Sequence, residues 1–86
     1  MEQIKKSGFL LEVEGKLIKS VTITGGKIIK LEQRVISNGR MAPSGASGIV
    51  VRIREPYFNG HTSDILEVLF EDEPTTRFMK FKDLLI

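Results

Sequence analysis

Short apolar runs separated by glycine-containing breaks organise the first part of the chain. One run covers Phe9–Val13 and the next covers Lys16–Thr24. Gly25 and Gly26 follow, and a glycine pair favours a tight hairpin turn because glycine reaches positive φ without steric cost. The third run, Lys27–Ile36, alternates clearly between apolar and charged residues. We therefore predict a three-stranded meander over residues 1–36, with residues 1–7 as a short lead-in that can fray.

The alternation in the third run assigns its residues to two faces. The apolar face holds Ile29, Leu31 and Val35, and the polar face holds Lys30, Glu32 and Arg34. Residues 37–47 then form the longest polar stretch, rich in Gly, Ser, Asn and Pro. A loop of this length is either a plain connector or a functional segment.

A second group of strands begins at Gly48. Ile49, Val51 and Ile53 alternate there with Val50, Arg52 and Arg54, and Pro56 ends the strand because proline cannot donate to a ladder. Further strands are predicted from about residue 64 to 71 and over 77–82, and Asp83 is a candidate cap for a short terminal turn. No helical period is sustained over about eleven residues. The prediction is a single all-β domain over residues 1–86.

The second half resembles the SH3-like small barrels of the KOW and Tudor type. The resemblance covers residues 41–86 and is carried by three segments: Gly48–Ile53, Asp64–Asp72 and Arg77–Leu85. It implies a small barrel of about six antiparallel strands, with the N-terminal meander added to the barrel strands. It also implies binding of nucleic acid, of ribosomal or polymerase surfaces, or of short peptides. The aromatic cage of Tudor domains is not matched, because the chain has no Trp.

Composition excludes several classes of chemistry. The absence of cysteine rules out disulfides, Cys-based zinc sites and thiol catalysis. No apolar run approaches the roughly 18 to 20 residues of a membrane span, and no signal peptide is read at the N-terminus. We therefore expect a cytoplasmic protein that does not associate with membranes.

The catalytic and metal-binding residue types in the chain predict neither an enzyme nor a cofactor. His61 is the one histidine, and its neighbours in sequence do not converge into a triad. The segment 45–48 lacks the glycine spacing of a nucleophile elbow and the lysine of a P-loop. The acidic segment 71–73 with Asp64 is a conceivable Mg²⁺ or Ca²⁺ site, but consecutive strand residues alternate in direction, so a solubilising turn is favoured.

Basic residues supply the candidate binding site. The net charge is +2, yet residues 1–54 hold ten basic and four acidic residues, a net of +6, while residues 55–86 carry −4. The predicted nucleic-acid-binding residues are Lys30, Arg34, Arg40, Arg52 and Arg54, with Tyr57 and Phe58 as a stacking platform for bases. The alternative is a charged outer sheet face that is merely solvated.

Two functions follow from these expectations. The first is a non-catalytic module that binds nucleic acid or a nucleoprotein complex through the basic sheet face. The second is a protein-interaction adaptor or inhibitor, such as an accessory factor of a mobile element, that uses its sheet edges around 9–13 and 77–82 for a partner or for self-association.

Overall fold

The computed structural model of the protein describes residues 2–6, 9–23, 25–55 and 66–85. Within these ranges the regular elements are nine β-strands and one short 3-10 turn. The strands form two antiparallel sheets that share one apolar core. The predicted all-β class and barrel-like architecture are confirmed.

The first sheet is a four-stranded meander in the order β1-β2-β3-β4. Its strands are β1 (Glu2–Lys6), β2 (Phe9–Glu14), β3 (Leu17–Thr22) and β4 (Ile28–Lys30). The lead-in predicted at 1–7 is wrong for residues 2–6, because Ile4 lies opposite the buried Leu11 and the segment pairs with β2 as a full strand. The free edge predicted around residues 9–13 is wrong for the same reason, since β2 lies between β1 and β3. Gly25 and Gly26 have φ values of 93° and 82°, so the predicted turn between β3 and β4 is confirmed.

The chain crosses between the sheets at residues 31–33, inside the segment predicted as one strand. Glu32 has a φ of 67°, and its amide donates to the carbonyl of Val50 at 2.7 Å. The amide of Leu31 donates back to Lys19 of the first sheet at 3.0 Å. The predicted continuous strand over 27–36 is therefore wrong. A left-handed residue turns the chain out of one ladder and into the other, while the alternation of buried and exposed side chains continues.

The second sheet has five strands in the order β8-β7-β6-β5-β9. They are β5 (Arg34–Ser37), β6 (Ser47–Ile53), β7 (Leu66–Phe70), β8 (Arg77–Met79) and β9 (Leu84–Leu85). The strand predicted over 77–82 ends at Met79, because Phe81–Asp83 form a 3-10 turn. This turn places the ring of Phe81 edge-on to Phe9 of the first sheet, with centroids 5.9 Å apart. Asp83 is the last residue of the turn and not its cap.

A β-bulge in β6 changes which of its side chains face the core. The register with β7 shifts between Val50 and Arg52, so Val51 is the extra residue. Val50 and Ile53 are buried, whereas Ile49 and Val51 are exposed. The predicted grouping of Ile49 and Val51 with Ile53 on one face is therefore wrong, since an added residue reverses the alternation beyond it.

The core lies between the two sheets and draws on both. Phe9, Leu11, Val21, Ile23 and Ile29 come from the first sheet and its β3–β4 connection. Val35, Val50, Ile53, Leu66, Val68, Phe70, Met79 and Leu84 come from the second, with Ala42 from the loop between β5 and β6. Because each sheet covers the apolar face of the other, removing either would leave an uncovered core.

Ser37 anchors the loop between β5 and β6 and provides a first stability prediction. Its hydroxyl is buried, donates to the carbonyl of Ala42 at 2.8 Å and accepts from the amide of Gly39 at 3.1 Å. Ser37→Ala should lower the free energy of unfolding by about 1–2 kcal/mol, because both backbone groups lose their partner. Urea denaturation measures this cost, and the exposed Ser44→Ala is the control, expected to stay within about 0.5 kcal/mol of wild type. Equal costs for the two variants would contradict the anchoring role.

Candidate functional site

The predicted basic residues are divided between the two sheets. Arg34 in β5 and Arg52 in β6 lie on the outer face of the second sheet, and Arg54 follows the end of β6. Lys30 lies in β4 of the first sheet, and Arg40 lies in the loop after β5. The predicted shared face of Lys30 and Arg34 on one strand is wrong, since the chain changes sheets between them. Tyr57 and Phe58 lie outside the described residues, as do His61 and Asp64.

The arginines of the second sheet are exposed beside loosely held partners. Arg34 lies 3.8 Å from Glu71 and Arg52 lies 4.0 Å from Glu67, both measured between a guanidinium nitrogen and a carboxylate oxygen. Their side chains are 70% and 68% exposed, so these pairs add little to stability. The guanidinium of Arg54 lies 5.0 Å from the centroid of the Phe78 ring, a cation–π arrangement. All three arginines remain available to a ligand.

Arg40 has a different environment, because it faces a buried carboxylate. Its Nε lies 3.7 Å from Oδ1 of Asp83, whose side chain is only 3% exposed. Asn38 holds the two segments together, since its side-chain amide donates to the carbonyl of Lys82 at 2.8 Å. Oδ2 of Asp83 is buried and has no hydrogen-bond partner among the described residues. This geometry gives Arg40 a structural task at the joint between its loop and the 3-10 turn.

An apolar surface on the second sheet was not among the predicted site residues, although Phe78 belongs to a strand with apolar residues on both faces. We call it the apolar outer face, and its members are Ile36, Ile49, Val51, Leu69, Phe78 and Leu85, with exposed fractions of 40% to 63%. Directly opposed residues of an antiparallel pair lie on the same side of the sheet. Ile36 opposes Leu85 in the β5–β9 pair, and Ile49 opposes Leu69 in the β6–β7 pair. The two apolar pairs lie in neighbouring rows of the sheet, with Ser47 opposite Ile36 and Arg34 opposite Ile49 on their other sides.

A sequence signal for this surface exists in the central strands. Leu69 in β7 is apolar although its neighbours Val68 and Phe70 already fill the core positions. A strand with one solvated face normally carries polar residues at the outer positions. Apolar residues at both the inward-facing and the outward-facing positions of β6 and β7 are thus the signal. The same pattern is also typical of strands that are buried on both faces.

The acidic turn after β7 borders a groove of about 420 Å³ whose opposite wall is the segment 43–47. Arg77 donates to both carboxylate oxygens of Glu73 at 2.6 Å, and this hydrogen bonding holds the pKa of Glu73 below its ordinary value. The contact stabilises the fold above that ordinary pKa, and the contribution is lost as acidification passes the lowered value. No group of three or more His, Cys, Asp or Glu side chains within the described ranges is placed to hold a metal ion.

We compared the chain with protein families, curated proteins and solved structures. No family model, curated protein or solved structure matches the chain. Across the part of the chain that the structure describes, no helix is long and apolar enough to span a membrane. The resemblance to KOW-type and Tudor-type barrels therefore stays a prediction.

Proposed function

We propose that the protein is a non-catalytic binding module that contacts a protein partner through the apolar outer face of its second sheet. The observation that carries the proposal is the set of six large apolar side chains exposed on one sheet, two pairs of which are directly opposed in neighbouring rows. Scattered apolar residues are normal on protein surfaces, whereas contiguous patches are typical of interaction sites. Burying such rows against a complementary surface supplies the main favourable term in protein association.

The charges on this face indicate the chemistry of the partner. Arg34, Arg52 and Arg54 lie among or beside the apolar residues, and arginine is enriched at protein interfaces. The carboxylate of Glu67 is only 16% exposed, against 68% for its partner Arg52, so an approaching surface meets the guanidinium first. We infer a protein surface that is apolar at its centre and carries Asp or Glu at its rim.

Nucleic acid is the second candidate ligand, and the Arg54–Phe78 contact favours it. A guanidinium on an aromatic ring, beside two further exposed arginines, is an arrangement that serves phosphate contact and base stacking. In this version Arg34, Arg52 and Arg54 bind the backbone, whereas Lys30 lies on the other sheet and Arg40 is paired with Asp83. Tyr57 and Phe58, the predicted stacking platform, lie outside the described residues. The modest net charge of +2 makes it the weaker proposal. For either ligand we propose a cytoplasmic location, because a chain without cysteine fits a reducing compartment.

Matched surface variants test the first proposal. Ile49→Thr with Leu69→Thr removes the centre of the apolar outer face, while Leu10→Thr with Ile28→Thr removes exposed apolar residues from the first sheet. Partners captured from a lysate by each tagged variant are quantified by mass spectrometry, and the recovered protein is then titrated by calorimetry. We expect the first pair to weaken binding by about tenfold, from the lost burial of two side chains, and the control pair to change it less than about twofold.

The same variants separate the two ligands. Titration with short single-stranded and duplex oligonucleotides at low and high salt is expected to show no binding by the wild-type protein. Salt-sensitive oligonucleotide binding would instead favour the nucleic-acid proposal. In that case the slope of log binding constant against log salt concentration should fall in magnitude by about two in the double variant Arg52→Ala with Arg54→Ala. Equal losses of protein binding in the two threonine pairs would also overturn the apolar outer face as the site.

A further inference from the structure

Strand β1 forms one edge of the first sheet. It pairs with β2 along residues 2–6, and no described strand lies on its other side. An edge strand presents backbone donors and acceptors that another strand can satisfy. The edge belongs to the sheet that does not carry the apolar outer face, so a contact made there is independent of the function proposed above.

The sequence of β1 has opposite charges at equal distances from its centre. Ile4 is the middle residue and is half-buried, with Glu2 two positions before it and Lys6 two positions after it. Positions two apart fall on the same side of a strand, so Glu2 and Ile4 lie on the side that carries Leu11, and position 6 falls in the same alternation. Gln3 and Lys5 lie on the opposite side.

This symmetry makes the strand complementary to a second copy of itself. When two copies run antiparallel with Ile4 opposite Ile4, Glu2 of each copy faces Lys6 of the other, and Gln3 faces Lys5. Opposite charges at directly opposed positions stabilise a sheet, and like charges destabilise it. One register therefore places both charged pairs and the one apolar pair in favourable positions.

Other registers lose these pairings. A shift of two positions one way places Lys5 opposite Lys5. The same shift the other way places Gln3 opposite Gln3 and Glu2 opposite Ile4, so Glu2 loses its basic partner. A shift of one position turns the second copy over, so that its core side faces the opposite way.

We propose that the protein forms a homodimer in which β1 pairs antiparallel with β1 of a second copy, in the register centred on Ile4. The contact is isologous, with a two-fold axis at Ile4, and joins the two four-stranded sheets into one continuous sheet. The occupant of the edge is a second copy because the charges of the strand complement themselves.

Disulfide trapping tests the register directly, since the chain has no cysteine of its own. In the proposed dimer the Cβ atoms at position 4 of the two copies lie about 4.5–5.5 Å apart, near the reach of a disulfide. Positions 3 of the two copies are offset along the strands by a further ~7 Å. We expect Ile4→Cys to give a covalent dimer at least about tenfold faster than Gln3→Cys under the same oxidant, although Gln3 is the more exposed.

Charge exchange tests the pairing in solution. Sedimentation equilibrium, at concentrations that reach the millimolar range, gives the dimer dissociation constant. Lys6→Glu places Glu opposite Glu twice and should raise this constant by about tenfold. Lys5→Glu carries the same change in net charge but faces Gln3, so we expect less than about a threefold effect. Combining Lys6→Glu with Glu2→Lys restores opposite charges and should return the constant to within about threefold of wild type.

Three results would overturn the dimer. They are a wild-type protein that stays monomeric over the whole concentration range, equal effects of the Lys5 and Lys6 variants, and an exchange variant that fails to recover. Circular dichroism of each variant distinguishes loss of the dimer from loss of the fold. The apolar outer face is unchanged in all of these variants, so their partner binding should remain at the wild-type level.

Discussion

Gly48→Ala is expected to be the most destabilising single-methyl change in the protein, lowering the free energy of unfolding by about 3 kcal/mol. A Cβ atom at Gly48 would lie 2.7 Å from Cγ1 of Val68, 2.9 Å from the carbonyl oxygen of Leu69 and 3.0 Å from Cδ1 of Phe70. The carbonyl belongs to the backbone of the neighbouring strand, so it cannot move aside as a flexible side chain would. The added methyl group must separate β6 from β7.

Urea denaturation monitored by circular dichroism measures this effect, with Gly45→Ala as the comparator. Gly45 has a φ of 84° but open space around its would-be Cβ, so alanine there should cost only about 1 kcal/mol of conformational strain. Shortening the ring in Gly48→Ala with Phe70→Leu should not recover the stability, because the Leu69 carbonyl remains in contact. A cost for Gly48→Ala no larger than that for Gly45→Ala would contradict the close packing of β6 on β7.

Arg40→Ala should lower the free energy of unfolding by about 2 kcal/mol, far more than the loss of an ordinary surface arginine. The change leaves the buried carboxylate of Asp83 without its cation, and uncompensated buried charges cost about 3–5 kcal/mol. We expect a smaller loss than that range because Arg40 is itself 65% exposed and water can partly replace it.

A double-mutant cycle with Asp83→Asn distinguishes this pairing from a general loss of contacts. In the Asp83→Asn background the carboxylate charge is absent, so Arg40→Ala should cost less than about 0.5 kcal/mol. Arg40→Lys should fall between wild type and Arg40→Ala, because lysine keeps the charge but not the geometry of the guanidinium. Equal costs of Arg40→Ala in both backgrounds would show that Asp83 is not its partner. A coupled result would also remove Arg40 from any set of freely available nucleic-acid contacts.

The contrast between Arg40 and Arg52 shows how far a candidate site can be inferred from charge alone. Both arginines were predicted as ligand contacts because a basic side chain in a loop or on a strand is normally solvated. The structure keeps Arg52 on an exposed face but turns Arg40 towards a carboxylate 43 positions further along the chain. Proximity between residues so distant in sequence depends on the packing of the loop against the 3-10 turn, and no local pattern reports it.

Local patterns by themselves determined the all-β class and most of the strand and turn positions of this protein. Apolar and polar residues alternate with a period of two, and only a strand buries one side with that period. The pair Gly25–Gly26 indicated a turn because glycine adopts positive φ without steric cost. The tertiary structure alone decided the strand at residues 2–6, the crossing at Glu32 and the bulge at Val51. Each depends on which distant strand supplies the hydrogen bonds, as the contact of Glu32 with Val50 illustrates. The bulge also decides which side chains of β6 face the core beyond Val51, because the extra residue leaves Arg52 exposed and turns Ile53 inward.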